Sequence, residues 1–485
     1  MTAAALPAIG DERERLLRRI ADLRARHASV GMPGPAAVSA AAPAGLIDLG
    51  RRRAARYAEA LATAVDGDVV ETPRGRVVRV DRPSIAMAVD RSALASLPGQ
   101  PPPDVPLVCL DTETTGLGTG TGTVAFLVGL GWWSGDRFRQ AQLVLPDHAD
   151  EPALLEAVRS ALPDRAWLVT YNGRGFDWPL LVTRFRLGLS APPALGGHLD
   201  LLPVVRALFR HRLTDARLRT VEAELLRLGR VGDVDGWEIP ARYLGFLRDG
   251  NAGGLVEVIR HNHEDVRTLA RLLVHLSTGL AARSRSPFVD PRDLAALGRA
   301  LARAGRLDEA ISCLEDAAAG IGAVRDERTP SAARPAAPAE PWWSPRVAAD
   351  IGGPPRPTAT SEDPARRGAT AWTADRVDRE RARVLRQAGR FAESAAAWRG
   401  VALAGGRAGA LAWIEVAKLE EHRLRDPAAA LEAVERAVAA GALLRARGLP
   451  IRGLDQDAAR RRRRLLARLE RRRLRGARPR GVADC

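Results

Sequence analysis

Two carboxylates one residue apart close an apolar run: Leu107-Val108-Cys109-Leu110 leads into Asp111-Thr112-Glu113, and Thr114-Thr115-Gly116 follows. Side chains alternate along a strand, so Asp111 and Glu113 share a face. Two acids forced together repel each other, and a divalent cation between them removes the repulsion. A second acidic stretch, Tyr171-Asn172-Gly173-Arg174-Gly175-Phe176-Asp177, follows the apolar run Ala166 to Thr170 and precedes a helical pattern from Trp178 to Leu187. A third, His261-Asn262-His263-Glu264-Asp265, lies in a periodic segment marked by Leu255, Val258, Ile259, Val266, Leu269, Leu272 and Leu273. On a helix His261 and Asp265 stand one turn apart on one face, and His263 points elsewhere. Asp111, Glu113, Asp177 and Asp265 therefore offer four hard oxygen donors. Mg²⁺ takes one or two carboxylates each plus substrate phosphate, and a pair of such ions suits in-line displacement at phosphorus. A histidine nearby can orient or deprotonate the attacking water. Taken singly, the first pair also fits a solvated strand end, and Asn172 and Asp177 fit a turn and a helix cap. Recurrence of all three in suitable contexts favours the metal site.

In order and spacing, the three stretches resemble the exonuclease motifs of the DEDD 3′–5′ exonucleases in the ribonuclease H-like superfamily. The first is Asp111-x-Glu113, the second Asn172-x-x-x-Phe176-Asp177, the third His261-x-x-x-Asp265. The finer likeness is to the YprB-like branch. It includes Phe126-Leu127-Val128-Gly129, Pro179-Leu180-Leu181 and His198-Leu199-Asp200-Leu201-Leu202, and covers residues 68–280. The resemblance implies a metal-dependent nuclease with two Mg²⁺ or Mn²⁺ ions, acting at the 3′ end of DNA or RNA. Asp111, Glu113, Asp177 and Asp265 would be the metal ligands and His261 the general base. Thr112, Asn172 and Phe176 would hold the terminal nucleotide. One feature departs from the pattern: a histidine stands at the spacing that the tyrosine subclass uses. The rival expectation is a nucleic-acid-binding adaptor with an inactive nuclease fold and partner-recruiting helical repeats.

The chain of 485 residues has room for two or three domains, and it carries a net charge of +16. The charge is unevenly placed. Residues 104–280 hold 19 arginines against 21 acids, whereas residues 460–480 hold 12 arginines and a single acid, Glu470. An anionic partner is thus expected at the C-terminal end. Three scattered cysteines give no disulfide framework or zinc spacing, which fits a reducing cytoplasm. No apolar run reaches the length of a membrane span, and no secretory signal is evident.

The elements that must position the acids follow from pattern. Residues 1–47 read as a short charged helix and linker, and 48–103 as an extension with a hairpin at 68–81. Residues 104–283 read as an α/β ribonuclease H-like domain, a mixed sheet flanked by helices. Trp132-Trp133 before Ser134-Gly135-Asp136 marks a strand entering a hairpin. The stretch His198 to Leu202 reads as a helix start, with Asp200 either its cap or close to the metals. Residues 288–320 and 376–450 resemble tetratricopeptide-like helical repeats, separated by a flexible insert at 321–375. Residues 451–485 form a basic segment that either caps the array or grips phosphate backbone.

Overall fold

The computed structural model describes residues 44–476 apart from 96, 98–100, 117, 119, 231, 282–289 and 327–371. The expected N-terminal helix at 11–28 and most of the insert lie outside the described residues. A helix α1 (Ala44–Val65) is followed by strands β1 (Asp68–Thr72) and β2 (Gly75–Ala86). These form the hairpin read at 68–81, with Thr72 facing Gly75 across Pro73-Arg74. Next come β3 (Leu107–Thr114), β4 (Ala125–Ser134) and β5 (Arg137–Val144). Ser134 pairs with Arg137 across a two-residue turn in which Gly135 takes a φ of +59°, the conformation such hairpins require. Trp133 packs on Phe138 across this hairpin and donates its indole N–H to the carbonyl of Met87 at 2.9 Å.

Helix α2 (Glu151–Ala161), strand β6 (Trp167–Thr170), helix α3 (Asp177–Leu187), strand β7 (Gly197–Asp200) and helix α4 (Leu201–Phe209) continue the chain. The strands form one mixed seven-stranded sheet in the order β1-β2-β5-β4-β3-β6-β7. Only β3–β6 and β6–β7 pair in parallel. The helix expected from His198 begins at Leu201 instead. His198 and Leu199 are taken up by β7, whose parallel ladder with Leu168 and Val169 outweighs the amphipathic pattern. Helices α5 (Ile239–Asp249) and α6 (Gly253–Ala281) complete this half, α6 lying across β3, β4 and β5.

β3 separates two cores. Leu107 and Cys109 join Val169, Leu199, Val266, Leu269 and Leu273 on one side. Val108 and Leu110 join Leu154, Val158, Leu180 and Phe185 on the other. Asp111 and Glu113 continue the first set and Thr112 the second, as alternation demands.

Beyond residue 290 the described residues are helical: α7 (Pro291–Arg303), α8 (Leu307–Asp326), α9 (Ala374–Gln387), α10 (Phe391–Leu403), α11 (Gly406–Leu419), α12 (Pro427–Ala446) and α13 (Leu454–Gly476). Each packs on the next. Two of the turns repeat one design. In Ala304-Gly305-Arg306 and Ala388-Gly389-Arg390 the glycine has a φ of +79° or +76°. The arginine N–H returns to the carbonyl of Leu301 or Leu385, closing the helix end. Each arginine then pairs with a glutamate three residues on, Glu309 or Glu393. Inside α13, Leu465 is buried while Arg462, Arg463 and Arg471 to Arg473 are exposed.

Candidate active site

Asp111 and Glu113 occupy the last turn of the pleat in β3, with a register shift against β4 directly after Glu113. Such bulges re-aim side chains at the ends of strands. β6 pairs with β3 only as far as Cys109, so β3 runs on beyond its neighbour. There a carboxylate replaces the missing strand. Asp177, the first residue of α3, accepts the backbone N–H of Thr112 at 3.1 Å and its hydroxyl at 2.6 Å. Thr112 is therefore buried, and its side chain fixes Asp177.

Helix α6 brings the third stretch. It approaches the sheet closely because β4 carries Gly129 and Gly131 under it. A Cβ on Gly129 would collide with Asn262 Oδ1 and lie 2.7 Å from Val266, and one on Gly131 would lie 2.8 Å from Val266. This space lets the fully buried Asn262 donate to Asp111 Oδ2 at 2.9 Å. Gln142 of β5 donates to Asn262 Oδ1 at 2.9 Å, which sets the direction of the amide. One residue earlier, His261 turns Nε2 toward the acids, 3.6 Å from Asp265 and 4.0 Å from Glu113. Its Nδ1 lies 2.7 Å from Asp233. Burial pushes the Asp233 carboxyl up, but bonds to His261 and Arg230 together hold it below its ordinary range, so it is ionised and can only accept. Nδ1 must then carry a proton, and Nε2 is the ring nitrogen that faces the acids.

The acids are costly where they stand. Burial first, then repulsion from Asp265 and Asp177, raises Asp111 and Glu113 well above ordinary carboxylates, with Glu113 adding to the rise of Asp111 and Asp233 to that of Glu113. Burial pushes Asp177 up to about 6 against its bonds from Thr112. Arg230 is the resident counter-charge. Its guanidinium pairs with Glu222, Asp265 and Asp233 and lies 3.4 Å from His261 Nδ1. Glu222 itself sits in a π-helical turn, Val221–Leu226, and also accepts from Thr268. Such turns often lie at functional sites. A mutually repelling set of desolvated oxygen donors fits hard divalent cations. Asp265, drawn toward Arg230, is the member a cation would have to win over.

The structure thus brings Asp111, Glu113, Asp177, His261 and Asp265 together. Asn172 is exposed, in the left-handed region at φ +68°, and its backbone N–H donates to Asp200 at 2.8 Å. Phe176 is half-buried and stands immediately before α3, with no side-chain cap. Asp200 caps α4 and anchors the second motif, accepting from Asn172, Arg174 and Leu202.

Residues 108–277 match the RNase H superfamily. The protein YprB of Bacillus subtilis (strain 168), described as uncharacterized, is 39% identical over 183 residues, which is 37% of this chain and 44% of that protein. The chain spans less than half the length of the curated relative it matches. The matched region holds four polar residues at the candidate site to which the sequence pattern assigned no role: Arg230, Asp233, Asn262 and Gln142. Arg230 and Asp233 come from an irregular segment with no periodicity to mark them. Gln140 and Gln142 stand on alternate positions of β5, and both are buried although the strand's arginines, Arg137 and Arg139, are exposed. Among the described residues no helix is long and apolar enough to cross a membrane.

Proposed function

We propose that this chain is a metal-dependent nuclease that shortens a nucleic acid strand from its 3′ end, hydrolysing phosphodiester bonds with two Mg²⁺ or Mn²⁺ ions. The observation that carries the reading is the meeting of four carboxylates, three of them strongly desolvated, with a histidine whose far nitrogen is tied to a fifth. Bound cations would neutralise charge on the phosphate and lower the pKa of the attacking water. Asp111, Glu113, Asp177 and Asp265 would hold them. His261 accepts the proton of the attacking water at Nε2, and Asp233 stabilises the imidazolium that forms while keeping the ring aimed. Were Asp265 to hold a cation, Arg230 would be freed of one partner and could contact the scissile phosphate. Phe176 offers a ring on which a terminal base can stack, and Asn172 a polar contact to the same nucleotide. Thr112 acts on the nucleotide only through Asp177. The 3′–5′ polarity rests on likeness to the DEDD exonucleases.

A second reading has one observation in its favour: Arg230 already supplies Asp265 with a cation. The chain would then be a nucleic-acid-binding adaptor whose helical array recruits a protein. Cleavage of 5′-labelled single- and double-stranded DNA and RNA with Mn²⁺ or Mg²⁺, wild type beside Asp111→Asn, decides between them. A ladder shortening from the 3′ end, absent in the variant, supports the nuclease. Retained binding with no cleavage of any substrate supports the adaptor. Cleavage of covalently closed circles would show endonuclease action instead.

A further inference from the structure

A second ligand cluster lies at the junction of α4 and α7. His211 follows α4 by two residues, and Asp290 and Asp293 open α7. One ligand atom from each lies within 4.8 Å of the others, and among the described residues this is the compact group of its kind. The imidazole is buried, its side chain 4% exposed, and Nε2 lies 3.2 Å from Asp293 Oδ1. The two are within ion-pairing distance should the ring be protonated, yet neither atom makes a hydrogen bond.

Helix capping accounts for part of this. Asp290 caps α7 by accepting the N–H of Arg292 at 2.8 Å, and an acid in the first turn suits the helix dipole. Arg212 pairs with Asp293 Oδ2 at 2.7 Å. Capping does not call for a buried imidazole nitrogen 3.2 Å from the remaining oxygen, Oδ1, with no hydrogen bond between them. Two donors each roughly 2.0–2.1 Å from a tetrahedral metal stand about 3.3 Å apart. The observed separation is close to that. One imidazole nitrogen with carboxylate oxygens suits borderline ions such as Zn²⁺ and disfavours Mg²⁺ and Ca²⁺, which prefer oxygen alone.

We propose that His211, Asp293 and Asp290 bind a transition-metal ion of the Zn²⁺ class, with water in the open position, and that this ion clips α7 to α4. The site is separate from the proposed nuclease centre in residues and in the ion it prefers. It would tie the first helix of the array to the helix whose cap, Asp200, anchors the second motif.

The test uses the full chain, stripped by chelator and dialysed against Zn²⁺ in excess Mg²⁺, with bound zinc measured by mass spectrometry. Wild type is expected to hold about one equivalent more than His211→Ala or Asp293→Asn, and Asp111→Asn is expected to keep that equivalent. Equal zinc in wild type and both variants, or its loss in Asp111→Asn alone, overturns the proposal. Should the variants fail to fold, wild type still decides. Zinc-edge X-ray absorption must show one imidazole among oxygen ligands, and chelator must lower Tm in a way that Zn²⁺ reverses and Mg²⁺ does not. An unchanged Tm, or a zinc spectrum without imidazole, overturns it equally.

Discussion

Asp233 and Asp177 act in opposite electrostatic directions, and each gives a measurable expectation. Asp233→Asn leaves an amide facing His261 Nδ1, which accepts or donates without stabilising an imidazolium. Cleavage is expected to fall by roughly 10²–10⁴ in kcat with KM little changed, measured under single-turnover conditions. Asp177, raised from 3.8 to about 6 by burial, binds more protons folded than unfolded. Its contribution to stability is therefore present below pH 3.8 and is lost as pH rises through about 6. Asp111 and Glu113, raised in the same sense, extend that loss upward. The metal-free protein should then gain more Tm from added Mn²⁺ at pH 8 than at pH 5, and Asp177→Asn should raise the metal-free Tm at pH 8. Calorimetry across this range checks both. At this scale the sequence was informative for the acids, because strand ends and helix turns fix which carboxylates share a face. It was silent on Arg230 and Asp233, because their placement depends on where an irregular segment crosses α6.

The approach of α6 to the sheet is the decisive element-level feature. Gly129 and Gly131 remove the side chains that would hold the helix away, and Asn262 and Val266 fill the space. Gly129→Ala is expected to cost about 1–3 kcal/mol by overpacking, read from denaturant unfolding, and to depress cleavage more than its stability loss explains. The second effect follows because Asp111 would lose its Asn262 donor. If activity and stability were both unchanged, α6 would not need this close approach. The mixed sheet, the hairpin at 68–81 and the hairpin after Trp133 were legible because alternation and turn residues are local signals. β7 was not: His198 to Leu202 has a helical pattern, and only the ladder with β6, a contact remote in sequence, makes its first residues a strand.

At the scale of the molecule, α13 divides its arginines. Arg461 and Arg464 pair with the buried Glu421 of the array, while Arg463, Arg471 and Arg473 are exposed. Replacing those three exposed residues by Ala should weaken binding to any nucleic acid sequence alike and lower the slope of log affinity against log salt by about 2–3. An unchanged slope would leave α13 as a structural cap. The uneven charge was visible in composition, but which arginines cap and which face solvent depends on the partner helix. One further consequence lies in the core. Cys109, Val169 and Leu208 belong to the same apolar cluster as Leu294, Leu385, Trp413 and Leu465. A domain boundary drawn after α6 therefore cuts through hydrophobic contact. Calorimetric unfolding of the whole chain should be a single cooperative event for these two halves, and a fragment ending near residue 281 should aggregate because it exposes what α7 now covers.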